Sequence, residues 1–398
     1  MPTGNGALKA DELLSPELFP FVECYRHAVQ SDKNGVVQIH NLPFDVMRSD
    51  IMGLIGRSAK ILNDRDEPVH IIMDRVTSKT MEVFVELANM DAAMDLVNRF
   101  KRDRAARVGM RAVHFEMSSQ SVLMQALFPS TKYGVVWDGS RPQIITDAEH
   151  SIDNFKGFLT EEQMNQLVKH TRHPLRSPYA KTAVERPYEC MISTLRKMPW
   201  YEPEHITIHE REVVYNACLE MIRILRNYLQ RPQIMQGTEL PRLTQKLLDR
   251  LVISAMVCPG FSVVQKHNIA STVGLDEQTC LDFNQPRYAH SWCYSWILCP
   301  KQNVPMDLIE WYIMVIRNET NRAVQSLTID KRMALHNKMR NRDTYWGFYW
   351  LETGLPIGKD FDKMTLAECA RIELLAMERV ITRAINGGRI SPRYDTAQ

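Results

Sequence analysis

The apolar positions of this chain change their period near residue 120. Before it, short runs alternating every second residue take turns with runs of helical spacing; after about residue 150, helical spacing dominates. Residues 36–40 place Val37 and Ile39 on one side and Gln38 and His40 on the other, which predicts a strand ended by Asn41-Leu42-Pro43. Residues 45–57 predict a helix with Met47, Ile51, Leu54 and Ile55 on one face. Residues 69–73 read as a second strand. Residues 79–87 give the clearest strand: Met81, Val83, Val85 and Leu87 alternate with Thr80, Glu82, Phe84 and Glu86, as in an antiparallel strand buried on one face. A second helix follows over 91–100, with Ala92, Met94 and Val97 apolar, and a fourth strand over 112–117, with Val113 and Phe115 inward. The order βαββαβ over about 85 residues predicts the split-βαβ, ferredoxin-like arrangement.

The remainder carries helix-start signals. Thr160-x-x-Gln163, Thr207-x-x-Glu210 and Thr365-x-x-Glu368 are capping boxes, in which a hydroxyl and a carboxyl or amide satisfy free backbone donors reciprocally. The stripes Val214, Cys218, Met221, Leu225, Leu229 and Ala370, Leu374, Met377, Ile381, Ile385 follow at helical spacing, and Asn386-Gly387-Gly388 is a stop signal. Pro305 predicts a helix start ahead of Leu308, Tyr312 and Val315. The expected class is α+β: an extension over 1–33, the βαββαβ module over 34–118, a short helix and linker over 119–150, and a mainly helical domain over 151–398.

Composition narrows the function classes. The chain has 398 residues, is 44% hydrophobic and carries a formal net charge of +2. There is core-forming material throughout and no global basic pull toward nucleic acid, so such a partner needs a local patch. The apolar segment 251–258 is far short of the ~18 residues that span a bilayer, so no membrane-spanning helix is expected. The N-terminal Met1-Pro-Thr-Gly-Asn-Gly shows no charged-then-apolar pattern, so secretion is not expected. The eight cysteines are scattered without a Cys-x-x-Cys, as expected of reduced intracellular thiols.

Two segments of the module carry a resemblance. Val37-Gln38-Ile39-His40-Asn41-Leu42 and Thr80-Met81-Glu82-Val83-Phe84-Val85-Glu86-Leu87 resemble the first-strand and third-strand signatures of the RNA recognition motif, whose strand aromatics stack unpaired bases. The usual stacking positions hold Gln38, Glu82 and Phe84, so only one is aromatic, and Glu82 would meet phosphates with a negative charge. Asn41-Leu42-Pro43-Phe44, Val83-Phe84-Val85-Glu86-Leu87 and Gly109-Met110-Arg111 are more similar to the quasi-RNA-recognition motifs of the heterogeneous nuclear ribonucleoprotein F/H family. That resemblance implies that loops hold guanine-rich single strands, through Phe44 after the Leu-Pro and through an Arg-aromatic pair opening the fourth strand. Arg111 matches the pair, whereas Ala112 leaves it without its aromatic. It also implies a ribonucleoprotein role in the nucleus, such as regulating pre-mRNA processing.

The charge pattern points to the loops independently. Lys101, Arg102, Arg104, Arg107 and Arg111 crowd the approach to the fourth strand, opposed only by Asp103. Such a cluster neutralises phosphates, and an Arg plane stacks on a base or reads guanine through paired donors. The expected RNA contacts are therefore Phe44, Phe84, Arg111, Lys101, Arg102, Arg104 and Arg107, with Gln38 and His40 on the sheet. Residues 121–128, with Val122, Leu123, Ala126 and Leu127, predict a helix placed to shield Phe84 and favour the loops.

Other constellations are weaker. Gly354 to Lys359 is one residue short of a phosphate loop, and Asp360 stands where a Ser or Thr is required. His205 and His209 straddle a helix start. Cys280, His290, Cys293 and Cys299 match no zinc spacing and lie among Trp292, Tyr294 and Trp296, as core residues do. The basic residues Lys331, Arg332, Lys338, Arg340 and Arg342 run into Tyr345, Trp346, Phe348, Tyr349 and Trp350, which read first as core and second as another single-strand surface. No cofactor, metal or catalytic spacing emerges, so an enzyme is not expected. The reading from another class is a protein-interaction scaffold, with Glu82 and Glu86 on an open sheet face offered to a partner and the helical domain engaging others.

Overall fold

The computed structural model describes residues 9–29, 32–56, 58–102, 106–145, 155–230, 242–340 and 342–387. The chain is α+β, and it folds as two compact units that interleave along the sequence. One unit is drawn from residues 28–202 and 209–258, the other from 1–27, 203–208 and 259–398. The helical block of residues 151–398 therefore contributes to both.

The first unit holds the βαββαβ module: β1 (Gly35–His40), α1 (Arg48–Ile55), β2 (Val69–Met73), β3 (Thr80–Leu87), α2 (Met90–Arg102) and β4 (His114–Ser118). The strands form one antiparallel sheet in the order β2-β3-β1-β4. Period-2 alternation decides its faces. Val37, Ile39, Val83, Val85 and Phe115 point inward with Val69 and Ile71 and bury against Ile51 and Ile55 of α1 and Ala93, Leu96 and Val97 of α2. Each such fully buried side chain contributes ~1.5–3 kcal/mol relative to leaving it exposed. Gly35 opens β1 because a Cβ there would stand 2.2 Å from the carbonyl oxygen of Asn89 and 2.8 Å from the Cβ of Ala93.

Several elements differ from the sequence pattern for identifiable reasons. Helix α1 starts late: Pro43, Phe44 and Asp45 stay in a loop, and the backbone N–H of Met47 donates to Asp50 Oδ2 at 2.8 Å as the helix begins. Met81 is exposed, because the β2–β3 register shifts between Ile71 and Met73 and breaks the alternation at the strand's start. Met94 is exposed too; α2 buries the stripe Ala92, Ala93, Leu96, Val97. Residues 111 and 112 do not belong to β4. They form a short hairpin with Arg107–Val108, turned by Gly109 at φ 57°, a left-handed conformation that favours glycine.

Beyond the module come α3 (Gln120–Leu127), α4 (Glu161–Arg172), α5 (Pro178–Thr182), α6 (Arg186–Lys197), α7 (Ile208–Gln230) and α8 (Gln245–Met256). The capping box at Thr160 forms. Helix α6 is buried on nearly every side: it packs against β2 and α8, and α3 packs against α6 and β1.

The second unit is built on the long helices Met306–Gln325 and Leu366–Ile385, with a two-stranded pairing of Phe21–Glu23 and Leu298–Pro300. Pro305 and the Thr365 capping box start the two helices. Trp292, Tyr312, Trp346 and Tyr349 are buried in its core with Phe21 and Met377, so those aromatics after the basic run are packing. Arg383 and Glu319, also buried, pair at 2.6 Å inside it. The zinc-like set is not assembled: among the described residues no three His, Cys, Asp or Glu side chains are placed to hold a metal ion. All eight cysteines are free thiols, and no described helix is long and apolar enough to cross a membrane.

Candidate nucleic-acid interface

The outward face of the sheet carries Gln38, His40, Glu82, Phe84, Glu86, His70, His114 and Glu116, by the same alternation that fills the core. Half of this face is sealed. Glu86 accepts hydrogen bonds from Lys197 Nζ of α6 at 2.9 Å and from Gln120 Nε2 of α3 at 2.6 Å, and lies 3.0 Å from His70 Nε2. His70 Nδ1 is in turn 3.0 Å from Ser193 Oγ. Burial alone would raise the Glu86 pKa; the Lys197 ammonium and the hydrogen bonds from His70 and Gln120 outweigh it and hold the carboxyl well below the usual range. Phe84, on the same face between these groups, is 0% exposed. The expectation that it faces RNA is corrected: α6 and α3 close over it. The expectation that Glu86 lies on an open face is corrected in the same way.

Ser193, His70 and Glu86 lie in line as a nucleophile, base and acid would. All three are buried, and Glu86 is also held by Lys197 and Gln120, so the arrangement is a fully bonded polar network between sheet and helix.

The open half of the face is acidic. His40 sits between Glu82, 3.7 Å from Nδ1, and Glu116, 3.5 Å from Nε2. Gln38 Nε2 donates to Glu82 Oε2 at 2.7 Å. Both expected sheet contacts are thus engaged with carboxylates that would repel a phosphate backbone.

The loop end is built differently. Phe44 is half-buried in the β1–α1 loop. The Arg111 guanidinium lies 5.2 Å and the Lys79 ammonium 5.4 Å from its ring centre, within cation–π range. The loop is fixed from several sides. Asn41, at φ 59°, donates to Ala112 O at 2.8 Å, and Arg111 Nη1 donates to Leu42 O at 3.0 Å, so the hairpin and the loop hold each other. Thr80 Oγ1 donates to Phe44 O at 2.7 Å, while Arg186, fully buried, donates through Nη2 to Val46 O. Arg242 Nη1 donates to Asp45 O at 2.9 Å and to Thr182 O at 2.8 Å, linking the loop to α5. From α5, Tyr179 meets Phe44 edge-to-face, with ring centres 5.1 Å apart. The β2–β3 loop that carries Lys79 is held to α5's start by Ser177 Oγ, which donates to Thr77 O at 2.9 Å.

The basic cluster is partly assembled here. Arg107 and Arg111 share the hairpin and are exposed. Lys101 and Arg102 are exposed at the end of α2, where Lys101 lines a cleft with Phe100, Val113 and Phe115. Arg104 lies outside the described residues. Sequence reading missed Lys79, Tyr179, Arg186, Arg242 and Lys197. Only Lys79 had a local signal, a cation one residue before the clearest strand; the others act through distant partners.

Residues 33–139 match a family described as a domain of unknown function (DUF8400), and residues 155–275 match a second, also described as a domain of unknown function (DUF8399). No curated protein matches the chain. The crystal structure of the Glorund qRRM2 domain is similar at 26% identity, covering 23% of this chain and 98% of that one, with a TM-score of 0.21.

Proposed function

We propose that this protein binds single-stranded RNA through the loop end of its βαββαβ module and not through the face of the sheet. The observation that carries the reading is the convergence of Arg111 and Lys79 on the half-exposed ring of Phe44, in a loop pinned by Thr80, Arg186 and Arg242. An aromatic flanked by cations supplies stacking and phosphate neutralisation together, the two requirements of single-strand binding. The resemblance to the quasi-RNA-recognition motifs extends the proposal to guanine-rich strands and to a nuclear ribonucleoprotein role in pre-mRNA processing, with binding and no catalysis. The test is titration of the full-length chain with guanine-rich, uridine-rich and adenine-rich oligomers at low and at physiological salt. Binding that weakens steeply with salt is expected; no binding to any oligomer at low salt overturns the proposal.

The alternative, a protein-interaction scaffold, has one specific support. The uncovered part of the sheet face carries Glu82 and Glu116 beside His40, an acidic surface suited to a basic protein partner. Partners recovered from cell extract that survive RNase treatment would favour it.

A further inference from the structure

We infer that Tyr179, which lies outside the module, is a second base-stacking side chain of the loop end, closing with Phe44 and Arg111 around an unpaired base of single-stranded RNA. The inference rests on the loop-end reading above.

Four observations carry it. The first is ring geometry. Phe44 and Tyr179 meet edge-to-face at 75° with centres 5.1 Å apart, so the edge of one ring rests on the face of the other and the two stand as adjoining walls of a corner. Both are half-buried, so each keeps some surface open to a ligand. The second is charge. Arg111 and Lys79 stand over Phe44, and Arg176 and Lys181, three before and two after Tyr179, are both exposed. A base in the corner would thus have cations near its phosphates. The third is rigidity. Ser177 Oγ, hydrogen-bonded to the β2–β3 loop, accepts from Ala180 N, and Arg242 ties Thr182 O to Asp45 O. The two rings are therefore held in place before a ligand arrives, which lowers the ordering cost of binding. The fourth is convergence. Tyr179 from α5 and Arg111 from the hairpin meet the same Phe44 ring from different elements. The Tyr179 hydroxyl has no hydrogen-bond partner among the described residues and is free to meet a base edge or a sugar.

The experiment uses the full-length chain and a fluorescein-labelled single-stranded decamer, taken as the tightest of the guanine-rich, uridine-rich and adenine-rich set. Y179A is expected to weaken binding ~5- to 150-fold, the value of one stacked base, while Y179F stays within a factor of about two. The salt dependence of Y179A should match wild type, because a stacking residue neutralises no phosphate; that of R111A should be shallower. In Y179W, the added tryptophan emission should be quenched at saturating RNA, a readout that holds even if Y179A is poorly folded. Wild-type affinity in Y179A, or an unquenched Y179W at saturation, overturns the inference. If R111A loses affinity while the Tyr179 variants match wild type, the loop-end reading stands and this inference falls. If wild type binds no oligomer, both fall.

Discussion

On the sheet face, Glu86 lies buried beneath α6, its charge neutralised by Lys197; at the loop end of the same module, Arg111 stands exposed over the half-open ring of Phe44. Both surfaces carry aromatic and charged residues at positions that a binding module would use. What separates them is whether the chain has already satisfied them. The polar groups of the sealed half have partners from α3 and α6, so a ligand there would have to replace hydrogen bonds that are already made. At the loop end the hydrogen bonds end on backbone carbonyls; Arg111 gives one of them, through Nη1 to Leu42 O, yet its side chain stays exposed beside the half-buried Phe44. An aromatic at a signature position is thus a binding residue only if tertiary packing leaves it one.

The largest expected effect attacks the sealed half. Lys197→Met removes the cation and leaves the Glu86 carboxylate buried. Breaking a buried pair in this way costs ~3–5 kcal/mol, and the low end is expected because His70 and Gln120 still bond Glu86. Urea denaturation should show the loss, and adding Glu86→Gln should restore much of it. A fully stable Lys197→Met would mean that α6 is a loose cover and that the sheet face opens.

The pH dependence sharpens the same point. Glu86 is held below its unfolded pKa, so its contribution is complete above the usual carboxylate range. It is lost as pH falls through about 4.3 toward the folded value. Wild-type stability should therefore decline on acidification more steeply than that of Glu86→Gln. Parallel curves for the two proteins would show that the Lys197 pairing does not set the charge of Glu86.

At the loop end, Arg111→Ala should weaken RNA binding about 10-fold and lower the slope of log affinity against log salt by about one. An unchanged affinity would remove Arg111 from the site.

The module was legible because its code is local. Val37, Ile39, Val83 and Val85 alternate, and the two members of each capping box, Thr160 with Gln163 and Thr365 with Glu368, sit three residues apart, so spacing alone reports them. The cover was legible only in part: a helix over 121–128 is expected to shield Phe84, and α3 does pack against β1, but nothing announces α6. Lys197 meets Glu86 across 111 residues of chain, and nothing in the spacing of α6 shows which surface it will seal. Tyr179 and Arg242 are hidden for the same reason: each is a single residue whose meaning is a neighbour far away in sequence. Met81 and Met94 misled because apolar identity was read as burial, where a register shift and a small-residue stripe on α2 placed them outside. Residues 34–118 cut from the chain would bare Phe84, His70 and Glu86, so the full chain is the proper object of every binding test.

The smallest expected effect is the most discriminating. Gln38 and His40 occupy the open half of the sheet face, where a conventional recognition motif would contact its bases. Here Gln38 donates to Glu82, and His40 lies between Glu82 and Glu116, the latter with 67% of its side chain exposed. A phosphate approaching His40 would meet two carboxylates at ion-pair distance from it, and removing the imidazole or the amide would deprive RNA of nothing it could use. The double variant Gln38→Ala, His40→Ala should therefore keep its affinity within a factor of about two, since only groups that contact RNA move it appreciably. Glu82→Gln should leave affinity equal or slightly raised, because one repulsive charge is gone. A tenfold loss in the double variant, measured beside a stable fold, would return the sheet face to the site and reverse the contrast between the two surfaces.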